Sequence, residues 1–323
     1  MIIHTSEIAI SRLPQVQLDS AFLLRDIVHM VLAGGPSQTL YNLSTGMHQR
    51  ALEYLCHDAE GAILEDMRGR PYFKMGLGDR LHEWLGVFAV AGVHFGHTPI
   101  RTLSGQEGTL EDLADAAAKS FKNDSLEKSW CLMLFSIQPG VTSEWFNDKG
   151  ELQSVERILK AETAMPYGNG CCFGTHRLEG IAFVIRRFCL ENDLEPSQLN
   201  GVWLEAYEYL QGAIRLIKRN QRDDGSLQRS WFRKASFPTA PLELREAFKD
   251  VVSFNQRDSA LVYSTGHCLD SISPIAEFLP DEQEWMQRAC YILAQTIEAH
   301  WTSVGRNIGP LTHAIHALKL LDV

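Results

Sequence analysis

Three pairs of side chains in this sequence have types and spacing that could support chemistry. His176 and Glu179, His267 and Asp270, and His313 and His316 each stand three residues apart. On a helix that spacing puts both members on one face. Imidazole and carboxylate side by side suit general acid–base catalysis near neutral pH, or a divalent metal such as zinc. Polar residues in the first turn of a buried helix also cap backbone groups, so capping stands as a third reading. His176, Glu179, His267, Asp270 and His313 are thus the candidate catalytic or metal-binding residues, with His316 a ligand contact.

Thiols and rings lie close to these pairs in sequence. Cys171 and Cys172 precede His176, and Cys268 follows His267, which allows a zinc–thiolate site. Adjacent cysteines diverge on a helix, so at most one of Cys171 and Cys172 serves as a ligand. Trp84, Trp130, Tyr167, Tyr263 and Trp301 fall in or beside the same apolar segments. They read either as core packing or as the walls of a chamber whose π faces stabilise cations. Arg177 and Arg306, near helix N-termini, suit an anionic group on a small-molecule ligand. The segment 225–241, with Trp231, Phe232 and Arg233, reads as a lid or as a surface excursion.

Helices must position these residues. Apolar residues recur at three- and four-residue spacing over 18–32, ended by Gly34-Gly35-Pro36. Thr109 caps a helix to about 121, with acids in its first turn. A helix over 125–138 stops at Pro139-Gly140, and others follow at about 150–165, 171–192, 199–222, 242–253, 258–279, 281–303 and 309–321. Alternating β-branched runs are scarce, so no substantial sheet is expected. His82, His176, His267 and His313 each open an apolar helix, at intervals of about two, two and one units of roughly 46 residues. Gly46-Met-His48 fits as a less regular earlier unit. Such a unit is one helical hairpin, which must stack on its neighbours to bury both faces. The chain therefore reads as a single all-α domain over 1–323, an α/α toroid of about six hairpins, with residues 1–75 completing or capping the ring.

Several segments resemble the α/α-toroid enzymes, the terpenoid cyclases and the β subunits of protein prenyltransferases. Gln221-Arg-Asp-Asp-Gly225-Ser looks like the turn that punctuates their repeats. Residues 262–273, with His267 and Cys268, are similar to their late inner helix, and Cys172 to Ile181 to the glycine-rich start of another. The part of the chain over 76–323 also resembles an uncharacterised bacterial family with Gly-Thr-His-Arg-Leu and Gly-Pro-Leu-x-His-Ala-x-His-Ala-Leu motifs. The resemblance implies a closed ring and an apolar or isoprenoid-like substrate in its centre. The sequence carries neither the Asp-x-Asp-Asp nor the Asp-Asp-x-x-Asp motif of those enzymes. Lanthionine-forming cyclases, also toroids, hold zinc with two cysteines and one histidine. Carbohydrate lyases and hydrolases on α/α barrels, and a non-catalytic scaffold, remain alternatives.

Composition narrows the field. A net charge of −10 without a basic patch disfavours nucleic acid. No apolar stretch is long enough to span a bilayer, and the N-terminus has no secretion-signal pattern. Seven cysteines, several in expected helices, read as reduced thiols and place the chain in the cytoplasm.

Overall fold

Two kinds of helix alternate along this chain, and their burial patterns tell them apart. The computed structural model describes residues 24–42, 46–59, 62–73, 82–124, 128–227, 257–304 and 307–321. Arg306, the helix expected near 242–253, and Trp231, Phe232 and Arg233 of the expected lid lie outside the described residues. In chain order the helices are α1 (Leu24–Gly34), α2 (Ala51–Glu53, continued by the π turn Tyr54–Asp58), α3 (Glu83–Val90), α4 (Leu110–Ser120) and α5 (Lys128–Phe135). There follow α6 (Val155–Thr163), α7 (Thr175–Asn192), α8 (Gly201–Arg219), α9 (Arg257–Ile272), α10 (Gln283–Ala299), α11 (Trp301–Val304) and α12 (Ile308–Leu320). Helices α3, α5, α9 and α12 are buried on nearly every side. By contrast α4 buries Leu110, Leu113, Ala114, Ala117 and Ala118, a single stripe, and α8 buries Trp203, Ala206, Leu210, Ala213, Ile214 and Ile217. Each Leu, Ile or Phe fully withdrawn from water contributes roughly 1.5–3 kcal/mol.

Among the described residues there is no substantial sheet, but there are four antiparallel hairpins. These are β1–β2 (Thr39–Asn42 with Met47–Arg50), β3–β4 (Ile63–Glu65 with Pro71–Phe73), β5–β6 (Pro99–Arg101 with Glu107–Thr109) and β7–β8 (Glu144–Phe146 with Leu152–Ser154). His48 lies on β2, so the proposed helical unit at Gly46–His48 is not one. Strands of three or four residues are too short to show alternation, and their turns hold them. Asp66, Thr102 and Asn147 each accept hydrogen bonds on their side chains from backbone N–H groups of the turn that follows. Each of these turns has a left-handed glycine, Gly69, Gly105 or Gly150, as does the Gly225 turn closed by the Gln221–Leu227 bridge. Thr109 forms the expected cap, its side chain and that of Asp112 exchanging bonds with each other's backbone.

The chain's contacts divide it into two units, Ile10–Ile158 and one made chiefly of Leu159–Val323. In the first, α3 packs on α1 and α5. Gly86 permits close approach there, because a β-carbon on it would lie 2.9 Å from the Trp130 carbonyl oxygen. In the second, α9 packs on α7, α10 and α12. Gly266 sits against Ala314, where an added β-carbon would come 2.7 Å from the alanine's own. Among the described residues no helix is long and apolar enough to cross a membrane.

Two outcomes follow from this packing. His82 lies among rings, with centroids 5.8 Å from Phe135 and 6.3 Å from Phe121, and its Nδ1 has no hydrogen-bond partner among the described residues. Burial lowers its pKa from 6.5 to about 4. The unfolded chain therefore takes up a proton that the folded chain refuses. Stability is full above pH 6.5 and falls as pH drops toward 4, by roughly 3 kcal/mol. Urea titrations across that window should show the slope in the wild type and a flatter profile in His82→Leu. Gly266→Ala gains helix propensity but forces α9 off α12, and thermal melts should show a net loss of about 1–3 kcal/mol.

Candidate functional site

The histidine helices of the Leu159–Val323 unit bring their polar residues to one place. His176 and Glu179 come from α7, His267 and Asp270 from α9, and His313 and His316 from α12. Ring centroids lie 4.3 Å apart for His267 and His313, 5.3 Å for His176 and His313, and 5.9 Å for His176 and His267. All six residues are buried. Five of the six, with Cys172 added, present ligating atoms in two sets. Cys172, His176 and His267 present atoms all within 4.8 Å of one another, as do Glu179, Asp270 and His313.

Cys172 reaches the site from a turn, not from a helix. Cys171–Gly174 is a short 3-10 segment in which Cys172 and Phe173 have φ of 46° and 61°. Left-handed backbone costs a residue with a β-carbon roughly 1–2 kcal/mol, so two in succession must be held by their surroundings. Gly174 ends the segment at φ 78°, where a β-carbon would lie 1.9 Å from the Tyr167 carbonyl oxygen. Thr175 Oγ1 donates to the Cys172 carbonyl at 2.8 Å. Arg177 pins the approach. Its Nε donates to Glu162 Oε2 at 3.1 Å, and Nη1 donates to the Pro166 carbonyl at 3.0 Å and to that of Asn169.

Hydrogen bonds fix the orientation of the imidazoles. His267 Nδ1 donates to the Tyr263 carbonyl at 2.9 Å, which leaves Nε2 as the lone-pair nitrogen when the ring is neutral. Asp270 accepts from two rings, from His313 Nδ1 at Oδ2 and from His316 Nδ1 at Oδ1, both at 2.6 Å. Histidines that bind metals are held in this way through their second nitrogen.

Protonation follows from burial and neighbours. Burial works to raise the Cys172 thiol, but His176 and His267, through charge and hydrogen bonds, hold it well below the usual thiol range. Burial, then the Asp270 carboxylate, pushes Glu179 well above the usual carboxyl range. Burial opposes ionisation of Asp270 too, yet His316 and His313 keep its pKa low. Burial and the neighbouring His267 hold His313 well below the usual imidazole range. The site thus favours the thiolate form of Cys172, the ionised form of Asp270, and the neutral forms of Glu179 and His313. Cys268, next to His267, is an ordinary buried thiol whose pKa burial drives upward.

The remaining expected residues lie elsewhere, except one. Tyr263 stands beside the site, its ring 4.4 Å from His267 and edge-on to Phe173 at 6.2 Å. Tyr167 packs on Tyr209 at 4.6 Å, against α8. Arg177, expected at an anionic ligand, has its guanidinium engaged by Glu162 and two carbonyls. Trp84 and Trp130 are core residues of the other unit, Trp84 packing 4.7 Å from Phe73. A surface pocket of about 600 Å³ beside the Gly225 turn, lined by Asp224, Arg288 and Tyr291 among others, shares no residue with the cluster. Cys172 is the member that helical spacing could not place, because it precedes the helix. Its position four residues before His176 was the available signal. No protein-family model, no curated protein and no solved structure matches the chain, so its functional reading rests on these residues themselves.

Proposed function

We propose that the Leu159–Val323 unit binds a divalent metal ion through Cys172, His176 and His267, and that the chain is an enzyme using it. The observation that carries this reading is the convergence of one sulfur and two imidazoles within 4.8 Å. One thiolate with two imidazoles is a zinc ligand set, and three protein ligands are characteristic of catalytic rather than structural zinc. A bound ion supplies Lewis acidity. Asp270 and His313 hold and orient protons beside it, and Glu179 adds a carboxyl group whose pKa burial and Asp270 raise well above the usual range. The strained turn at Cys172 fits such a role, since left-handed non-glycine backbone concentrates at functional sites.

The toroid belongs to the same proposal. Wholly buried helices alternating with one-face helices are the pattern an α/α ring requires. An apolar, isoprenoid-like substrate is favoured by that resemblance and by Tyr263 beside His267, with Phe173 edge-on to Tyr263. A reducing compartment such as the cytoplasm would keep Cys172 available. The scaffold alternative expects the six paired residues to bond backbone and no solvent-open cavity to exist; all six are buried, which agrees with its second part. His267 does bond the Tyr263 carbonyl, but Asp270 binds two imidazoles instead.

Metal analysis of the purified full chain should find at least stoichiometric zinc. Cys172→Ser and His267→Ala should fold, by circular dichroism, and lose it. A metal-free wild type whose Cys172 is rapidly alkylated, with no protection by added zinc, would reject the proposal and favour a thiolate nucleophile. Chelation should also lower the melting temperature, and zinc should restore it. At free metal a thousandfold above the dissociation constant the linkage amounts to about 4 kcal/mol.

A further inference from the structure

We infer that Glu179, Asp270 and His313 form a second divalent-cation site beside the first, making the centre dinuclear. This rests on the metal-site reading above and extends it to three residues that the first ion does not use. Their ligating atoms lie within 4.8 Å of one another, and each residue is only 1% exposed. Glu179 Oε1 is buried and has no hydrogen-bond partner among the described residues. An oxygen in that position is closed to bulk solvent and has no protein donor among the described residues, and a cation satisfies it. Two buried carboxyl groups facing each other also repel when both ionise, and a shared cation removes that repulsion as effectively as a proton does.

Asp270 has the support that ligating carboxylates usually have. His316 donates to Oδ1, and the proton that His313 Nδ1 gives to Oδ2 is the one an ion bound between these two atoms would replace. The two sets share no residue yet adjoin, because the His313 ring lies 4.3 Å from His267 and 5.3 Å from His176. Paired catalytic ions in general stand about 3.5–4 Å apart, a separation that adjoining ligand sets of this kind suit. The second set, with two oxygens and one nitrogen, is the harder of the two. It accepts manganese as well as zinc or cobalt, whereas the thiolate set favours zinc and cobalt.

Cobalt(II) titration of the metal-stripped full chain, followed by absorption, separates the two sites. Two equivalents should bind. One brings a sulfur-to-cobalt charge-transfer band in the near ultraviolet, and the other adds visible ligand-field bands alone. In Glu179→Gln the equivalent without the charge-transfer band should weaken by about tenfold or more, with the sulfur-linked equivalent retained. A wild type that stops at one sulfur-linked equivalent overturns the second site and leaves the first intact. So does a Glu179→Gln chain that keeps both equivalents at unchanged affinity. Should that variant fail to fold, the wild-type stoichiometry still decides. Absence of any charge-transfer band removes instead the reading on which this inference rests.

Discussion

Asp270 is a carboxylate with almost no water around it, held charged by two imidazole N–H groups at 2.6 Å. Burial alone would make it a neutral acid. The two donors reverse that preference, and in donating they fix which nitrogen of His313 and of His316 carries the proton. The rest of the cluster adjusts to this charge. Burial, and then this charge, push the Glu179 pKa well above the usual carboxyl range. Burial and the neighbouring His267 hold the His313 pKa well below the usual imidazole range. Such short contacts between side chains of α9 and α12 need backbones that come very close, and the contact of Gly266 with Ala314 provides that. A side chain one carbon larger at Gly266 would part the helices that carry the acid and its donors.

Strain on the other side of the site has its own support. Cys172 and Phe173 occupy left-handed backbone, held between Gly170 and Gly174 and by the carbonyl contacts of Thr175 and Arg177. Arg177 is nearly buried and lies next to His176 in sequence, yet its guanidinium faces the loop before Cys172 and pairs with Glu162. One turn of α7 therefore orients a histidine toward the site and an arginine toward the segment that delivers the thiolate. The arginine acts on the site through Cys172, by fixing where the turn begins.

Much of this arrangement was readable from residue spacing. The pairs at 176/179, 267/270 and 313/316 share helix faces as their spacing requires, and Thr109 caps α4 with Asp112 as expected. What escaped was structure without a period. The hairpins are held by side-chain bonds from Asp66, Thr102 and Asn147 and by left-handed glycines, not by alternating apolar residues. Cys172 is legible as a candidate thiolate before His176, but not its conformation, since a left-handed turn follows no helical rule and the helix begins only at Thr175. Arg177 was misplaced because its charge and its position near a helix start suggested an anion, while its true partner, Glu162, lies 15 residues away on α6. The pairing of His313 and His316 to a single Asp270 depends on two helices meeting, which spacing within either one cannot reveal.

Zinc-edge X-ray absorption on the full chain loaded with one equivalent of zinc tests the central claim most directly. The account predicts one sulfur scatterer at about 2.3 Å and imidazole nitrogens at about 2.0–2.1 Å. A first shell of oxygen and nitrogen only, with no sulfur, would contradict it.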